Sequence, residues 1–299
     1  QDARTTRVLV GVLFRSQIKT LYQLSANRIA YWQIEHTSYE RLIIMNAGID
    51  KKSITSTTLY PKKGVFMLQT ALSMQWLWDM AQDYRNILNQ SEFYKKVALA
   101  SCPEDFQWIR QLYYISCDFT AAVALRYGSC PDPRFRDAFG EHAAEEVTHP
   151  EDLARWMREY GFLALNEMPT SVPPTLETLA LGSYFIRSVM REPIANQIIT
   201  INLLTEGMAC DFYNRISPKL SQLGLMPKGY WSAHQEADME HQLLGLDLIP
   251  QCEKNSPQGE IYARTLWEIT SFWSHEFEAW SHTMGQCEML RPPVDAILN

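Results

Sequence analysis

Two short segments of the sequence concentrate side chains that bind transition metals. They are residues 234–241, HQEADMEH, and residues 141–149, EHAAEEVTH. Because a helix turns by about 100° per residue, His234, Asp238 and His241 fall within an arc of about 60° on one helical face. Two imidazoles around one carboxylate give a mixed nitrogen and oxygen donor set. Such a set suits iron, manganese or zinc better than calcium or magnesium.

The segment at 141–149 offers a complementary set of donors. Glu146 and His149 form a Glu-x-x-His pair, the arrangement that dinuclear sites of ferritin-like proteins use. His142 and Glu145 share the same broad stripe, and a carboxylate between two ions can bridge them. Charged residues at this spacing more often form a solvated helix face. We favour metal binding because each segment supplies donors that the other lacks.

Two acids stand alone in apolar surroundings. Glu206 follows a strongly apolar stretch that begins at residue 198, and Asp118 lies within a similarly apolar segment. A buried carboxylate is costly unless it is paired or bound to a metal, so Glu206 is a candidate ligand. Its alternative is the start of a more polar half-helix that continues to Asp211 and Arg215. Asp118 is a candidate additional ligand or a hydrogen-bonded core acid.

A third stripe shows that spacing alone is not decisive. His275, Glu278 and His282 also align on one helical face. Periodicity cannot reject them as ligands. Their segment is near the end of the sequence and rich in Trp and Phe, which favours a role in packing or as a pocket lid.

The elements that must position these side chains are helical. Glycine is scarce, and long stretches without Gly or Pro carry apolar residues at helical spacing, which predicts an all-α chain of seven or more helices. The segment at 8–14 reads as a strand or a buried helix, 18–34 as a helix and 49–63 as a loop. Further helices are predicted at 66–88, 93–99, 106–127, 136–149, 150–160, 175–190, 193–216, 227–246 and 258–284.

Composition limits the classes of partner. The formal net charge of −7 argues against nucleic acid or an anionic membrane, and no apolar run reaches the length of a membrane span. Six cysteines without a CxxC pair indicate free thiols in a reducing cytoplasm rather than a disulfide framework. We therefore expect a cytoplasmic protein whose partner is a small molecule.

The motifs together resemble a known group of proteins. Glu146 and His149 followed by Pro150, then Glu206, then the His-x-x-x-Asp-x-x-His motif from His234, are similar to the haem-oxygenase-like diiron oxidase superfamily. The likeness covers roughly residues 106–246. It implies a haem-oxygenase-like bundle of about seven core helices that binds no haem. It also implies two irons per chain, the second often loosely held, and O₂ as co-substrate.

The resemblance assigns roles to individual positions. It implies six ligands: Glu146, His149, Glu206, His234, Asp238 and His241. His142, which stands seven positions before His149 where some members have an acid, and Glu145 and Asp118 are candidates for further ligands or for supporting hydrogen bonds. Tyr113 and Tyr114 are further candidates to orient the imidazoles. Arg126, Arg187 and Arg191 could bind a substrate carboxylate, although structural ion pairs are the better interpretation.

The chain is thus expected to hold a diiron domain at 101–299. Residues 1–100 are expected to form a mostly helical extension that covers the site or makes a homodimer contact. The expected function is an O₂-dependent oxygenase or oxidase of specialised metabolism. Its substrate would be a small amine or amino-acid-derived metabolite, with N-oxygenation preferred over C–C cleavage or desaturation. The alternatives are a metal-free, thiaminase-II-like or cofactorless helical enzyme and a non-catalytic scaffold.

Overall fold

The computed structural model describes residues 64–284, except for the side chains of residues 64–73 and 235–239. The predictions for 8–14, 18–34 and 49–63 lie outside the described residues. Within the described part, every regular element is a helix, which agrees with the predicted all-α class. None of these helices carries an apolar stretch long enough to cross a bilayer.

Most of the helices follow one another with short connections, and the long ones are 160–175 and 242–256. In chain order they are α1 (Gly64–Leu88), α2 (Glu92–Leu99), a 3₁₀ turn (Pro103–Phe106), α3 (Ile109–Ser129), α4 (Pro133–Glu146), α5 (His149–Glu159), α6 (Leu176–Arg191), α7 (Ile194–Ile198), a π-helical segment (Ile199–Glu206), α8 (Gly207–Gln222), α9 (Tyr230–His241) and α10 (Pro257–His282). These positions agree closely with the predicted helices, since caps and prolines mark several starts. Thr175 and Ser256, for example, accept hydrogen bonds from backbone N–H groups three residues on.

One predicted helix is shorter in the structure than in the sequence-based prediction. The segment predicted at 227–246 forms a helix only at Tyr230–His241. Gly229 precedes it with φ of 61°, and Gly245 follows it with φ of 77°. Because a left-handed backbone conformation interrupts a right-handed helix, these glycines bound the element that carries the His-x-x-x-Asp-x-x-His motif.

The core at one end of the bundle is aromatic. Phe93, Trp108, Phe212, Phe277 and Trp280 are almost fully buried, and their ring centroids lie about 5 to 6 Å apart in stacked and edge-on pairs. These side chains come from α2, the connection before α3, α8 and α10. They therefore fix the helices that surround the metal-ligand candidates.

The described part of the predicted N-terminal extension packs into this same core. Leu77 of α1 and Phe93 of α2 are fully buried. Arg85 of α1 donates hydrogen bonds to Asp211 of α8 and to Gln242. The chain divides into compact units at Pro61 and Lys62. The predicted division at residue 100 stays a prediction.

The cysteines depart from the prediction at one position. Cys117, Cys130, Cys210 and Cys252 are free thiols, but Cys102 is disulfide-bonded. The expectation that all six cysteines are free is therefore wrong at Cys102. The absence of a CxxC pair could not exclude a bond between residues distant in the sequence.

Candidate metal centre

Four elements bring histidines and glutamates together inside the bundle. The structure forms two groups that share Glu146. In each group one possible ligand atom per residue lies within 4.8 Å of the others. The first group is His142, Glu146, Glu206 and His241, and the second is Glu146, His149 and His234. All of these side chains are buried. The pairing of the two sequence segments is thus present in the structure.

The break between α4 and α5 places Glu146 beside His149. Helix α4 ends at Glu146 and α5 begins at His149, with Pro150 in its first turn. Thr120 of α3 donates a hydrogen bond from its hydroxyl to the carbonyl oxygen of Glu146, which ties this junction to the neighbouring helix. Glu146 Oε2 then lies 2.6 Å from His149 Nδ1, while Oε1 faces the first group.

Glu206 ends a π-helical segment, Ile199–Glu206, within an otherwise continuous helix from Ile194 to Gln222. The π-helix is a rare conformation that is frequent at functional sites. All eight of its residues are buried. Within it, Asn202 donates a hydrogen bond to the carbonyl oxygen of His241 at 2.9 Å. The segment therefore presents Glu206 to the site and also anchors the end of α9.

The atoms at the centre of the first group lack hydrogen-bond partners. They are His142 Nε2, Glu146 Oε1, Glu206 Oε1 and His241 Nδ1. Glu206 Oε1 lies 2.7 Å from His142 Nε2 and 3.7 Å from His241 Nδ1, without hydrogen-bond alignment. Buried polar atoms without partners are costly and rare in native proteins. Converging donor atoms of this kind fit a cation held between them.

Two histidines are oriented through the ring nitrogen that points away from the cluster. Nδ1 of His234 lies 2.7 Å from the carbonyl oxygen of Tyr230, and Nε2 of His241 lies 2.6 Å from Glu145 Oε2. Metal-binding histidines commonly donate their second N–H to such oxygens. Glu145 thus lies where an orienting residue is needed. Tyr113 and Tyr114 have other partners. The hydroxyl of Tyr114 donates a hydrogen bond to the carbonyl oxygen of Val172, and the side chain of Tyr113 is hydrogen-bonded to Cys117.

Burial and neighbouring charges shift the protonation of these groups in different directions. Burial lowers the pKa of His234 to about 4 and raises the pKa of Glu206. Burial opposes protonation of His241 as well. The Glu145 hydrogen bond and the charges of Glu206 and Glu146 outweigh it, and they raise the pKa of His241 to about 9. The imidazole of His234 is therefore neutral at pH 7, as metal binding requires.

Several predicted positions lie elsewhere or are not described. The side chain of Asp238 is outside the described residues, although its helix α9 is present. Asp118 is absent from both groups. A Cβ placed on Gly182 would lie 1.9 Å from Asp118 Oδ2, which puts that carboxylate against α6. His275, Glu278 and His282 are exposed, so the third stripe is a solvent face rather than a lid.

The sequence did not predict the residues that surround His142. Arg126 is 1% exposed, and its guanidinium contacts His142 Nδ1 at 2.9 Å and Asn202 Oδ1 at 2.7 Å. No spacing rule predicts these contacts, because they join three separate elements. The other two candidate arginines differ. Arg187 pairs with Glu192, and both Arg187 and Arg191 line an open surface cleft of about 370 Å³ beside Asp118.

A small apolar pocket of about 50 Å³ adjoins the cluster. Glu146, Glu206 and His234 form part of its wall. The remaining walls are mainly apolar and aromatic side chains from α3, α8, α9 and α10, together with Ser116 and Thr205: Leu112, Ile115, Phe119, Met208, Ala209, Phe212, Tyr213, Tyr230, Trp273 and Trp280. Among these lining residues there is no Lys or Arg. The pocket thus opens onto residues of both donor groups.

The sequence profile of a haem-oxygenase-like family, described as iron-containing redox enzymes, matches residues 106–273. This match covers more than half of the chain and includes every residue of both donor groups. The chain belongs to this family. It is therefore an oxidoreductase family member with a haem-oxygenase-like fold, as the resemblance implied. No curated protein matches the sequence.

Solved structures show the same fold at low sequence identity. A TenA homolog from Pseudomonas syringae pv. tomato is 10% identical with a TM-score of 0.54, over 77% of this chain and 99% of that one. A TenA family transcription regulator from Silicibacter sp. gives 13% and 0.55, over 70% and 96%. A domain of unknown function with a heme oxygenase-like fold from Shewanella denitrificans gives 16% and 0.53, over 69% and 90%. These likenesses concern the fold alone.

Proposed function

We propose that this iron-containing redox enzyme is an O₂-dependent non-haem diiron oxygenase or oxidase. Its ligands would be Glu146, His149, Glu206, His234, Asp238 and His241, with Glu146 between the two ions. The supporting observation is that two groups of buried donors share Glu146, and that the central atoms of the first group have no hydrogen-bond partners. Two bound irons would supply the electrons that activate O₂.

The protein's own contribution is orientation and exclusion of water. Tyr230 and Glu145 hold the rings of His234 and His241, and the tyrosine rings of Tyr213 and Tyr230 pack on His234 with centroids 4.4 Å apart. The aromatic pocket walls keep solvent from the substrate-facing side of the donor groups.

The pocket supports a small amine as the substrate class. Among the described residues, its charged lining side chains are the carboxylates of Glu146 and Glu206, and no Lys or Arg lines it to receive a substrate carboxylate. An amine end near the cluster with an apolar remainder against Trp273 and Trp280 fits this lining. We therefore place N-oxygenation first, and C–C cleavage or desaturation second.

The decisive experiment is anaerobic loading with Fe(II) followed by exposure to O₂. We expect two irons per chain in the wild type, and consumption of O₂ that is faster with a substrate amine present. Trace iron alone, with no O₂ consumption, would refute the proposal.

A matched pair of variants controls for the loss of any histidine. His234→Ala removes a buried donor of the second group, whereas His275→Ala removes an exposed histidine at the same kind of helical spacing. We expect His234→Ala to bind at most one iron and His275→Ala to bind the wild-type amount. Equal iron contents in these two variants would show that the cluster is not the iron site.

The likeness to TenA structures favours one competing function. A metal-free enzyme of this fold would use Glu206 and the buried histidines for acid–base chemistry. Such an enzyme would keep its full activity after metals are removed by a chelator. An activity that disappears with chelation and returns with Fe(II) distinguishes the diiron proposal from this alternative.

A further inference from the structure

His142 differs from the other oriented histidines in the partner of its outward-facing ring nitrogen. His234 and His241 each direct one nitrogen to an oxygen acceptor. The outward nitrogen of His142, Nδ1, instead lies 2.9 Å from Nη2 of Arg126. This contact lies within the buried core, and it determines which ring nitrogen of His142 can carry a proton.

A guanidinium group has only N–H donors and no acceptor. Nδ1 of His142 must therefore accept from Arg126, and a neutral imidazole then carries its proton on Nε2. Nε2 is the nitrogen that faces the cluster, 2.7 Å from Glu206 Oε1. The two atoms lack hydrogen-bond alignment, so the short distance fits either two ligands of one ion or an N–H group that faces a carboxylate. The Arg126 contact distinguishes the two, because a metal-binding nitrogen needs a free lone pair.

Arg126 is held in place by other contacts, which it would lose if it turned away from His142. Its Nη1 donates to Asn202 Oδ1 at 2.7 Å, and its guanidinium lies 4.0 Å from the centroid of the Phe139 ring. Asn202 in turn donates to the carbonyl oxygen of His241. Turning the guanidinium would leave a buried charge and the amide oxygen of Asn202 without partners, which is strongly unfavourable.

We propose that Arg126 is a positioning residue that keeps the proton of neutral His142 on Nε2, so that His142 faces Glu206 as an N–H group rather than as an iron ligand. This inference rests on the diiron proposal, and it makes the two ion positions unequal. The first position keeps only one described imidazole, that of His241, whereas the second has His149 and His234.

The tautomer can be measured in metal-free protein, independently of any activity. Protein labelled with ¹⁵N-histidine, at mildly alkaline pH, gives ¹H–¹⁵N correlation patterns that distinguish the two neutral imidazole tautomers. The signals of His142 are those that disappear in His142→Gln. We expect a proton on Nε2 of His142 and on Nδ1 of His234. A proton on Nδ1 of His142 would overturn the proposal, whether or not the diiron proposal holds.

Binding of Co(II), a spectroscopic substitute for iron, tests the ligand role separately. Glutamine at position 142 can accept from Arg126 with its oxygen and donate to Glu206 with its nitrogen, but its amide is a poor metal ligand. We expect His142→Gln to keep the wild-type Co(II) stoichiometry and visible spectrum, while His234→Gln loses one ion. Loss of an ion or a shifted spectrum in His142→Gln would overturn the inference. Absence of Co(II) binding in the wild type would instead count against the diiron proposal.

Variants at position 126 test the positioning role directly. Arg126→Lys retains a cationic donor and should preserve the Nε2–H tautomer of His142. Arg126→Met removes the donor and should allow the Nδ1–H tautomer to appear in the same spectra. If Arg126→Met does not fold, the comparison of wild type with Arg126→Lys still tests whether a cationic donor at position 126 keeps the tautomer of His142. A changed His142 tautomer in Arg126→Lys, where the donor is kept, would contradict the proposal.

Discussion

The side chain of Glu146 faces both donor groups, whereas its neighbour Glu145 contacts His241 from outside the cluster. Oε2 of Glu146 contacts His149, its Oε1 lies among the first group, and Glu145 binds Nε2 of His241. Consecutive residues on a helix point about 100° apart. Two adjacent glutamates therefore serve different purposes: one is a candidate ligand, and the other orients a candidate ligand from outside the cluster.

The orienting role of Glu145 is testable. Glu145→Ala removes the acceptor that holds His241, and the loss of such a supporting contact typically weakens metal binding by about 10- to 100-fold. Anaerobic competition with a coloured Fe(II) chelator measures the change. Glu141→Ala removes an exposed glutamate one turn earlier on α4 and should leave the affinity unchanged. Equal affinities in the two variants would show that the Glu145 contact has no influence on the metal.

At the scale of helices, α3 and α6 pack closely where Asp118 meets Gly182. Because a Cβ on Gly182 would lie 3.0 Å or less from three atoms of Asp118, the acid and the glycine fit each other. Asp118 is partly buried, and burial raises the pKa of its carboxyl group. Its position among apolar residues is thus accompanied by a contact between helices, and Asp118 belongs to neither donor group.

This contact predicts a compensating pair of substitutions. Gly182→Ala should destabilise the protein by about 1–3 kcal/mol through overpacking, and adding Asp118→Ala should restore most of that loss. Denaturant unfolding measures the free energies. Gly128→Ala on α3, where a Cβ meets no atom within 4 Å, is the control. We expect Asp118→Ala to keep the wild-type iron content, and a loss of iron would return Asp118 to the candidate ligands.

The sequence predicted those features of the site that lie within a single helical segment. Helical spacing found Glu146 with His149 and His234 with His241, because those residues share a segment whatever the rest of the fold does. It could not predict the Arg126–His142 contact, since three elements must first pack together. It also could not separate His275 and its stripe from the true cluster, because periodicity gives the direction of a side chain around a helix and not its burial.

At the scale of the whole molecule, the converging donor atoms of the first group are a local weakness of the bundle. Four buried donor atoms without hydrogen-bond partners lie between α4, the π-helical segment and α9. A metal ion that binds only the folded protein satisfies the two carboxylate oxygens and His241 Nδ1, and it shifts the folding equilibrium towards the native state.

Metal removal should therefore lower the thermal stability. With free metal at about 100 times its Kd, binding adds about 2.7 kcal/mol to the free energy of unfolding. For a protein of this size such a change corresponds to a shift in Tm of roughly 4 °C. Anaerobic thermal unfolding with Fe(II) and with a chelator measures it. His234→Ala should show a smaller shift than His275→Ala, and identical shifts would place the metal elsewhere.

The carboxylate shared by the two donor groups has a consequence for how the protein binds two metal ions. In a centre that binds two ions, the occupancies of the two positions cannot be independent equilibria. A first ion would orient Glu146, which both donor groups share, but its positive charge would also repel a second ion. When that repulsion exceeds the gain from a pre-oriented carboxylate, loading is anticooperative. When iron is scarce, most chains would then bind one ion. The supply of iron would determine how many chains hold both ions and can react with O₂.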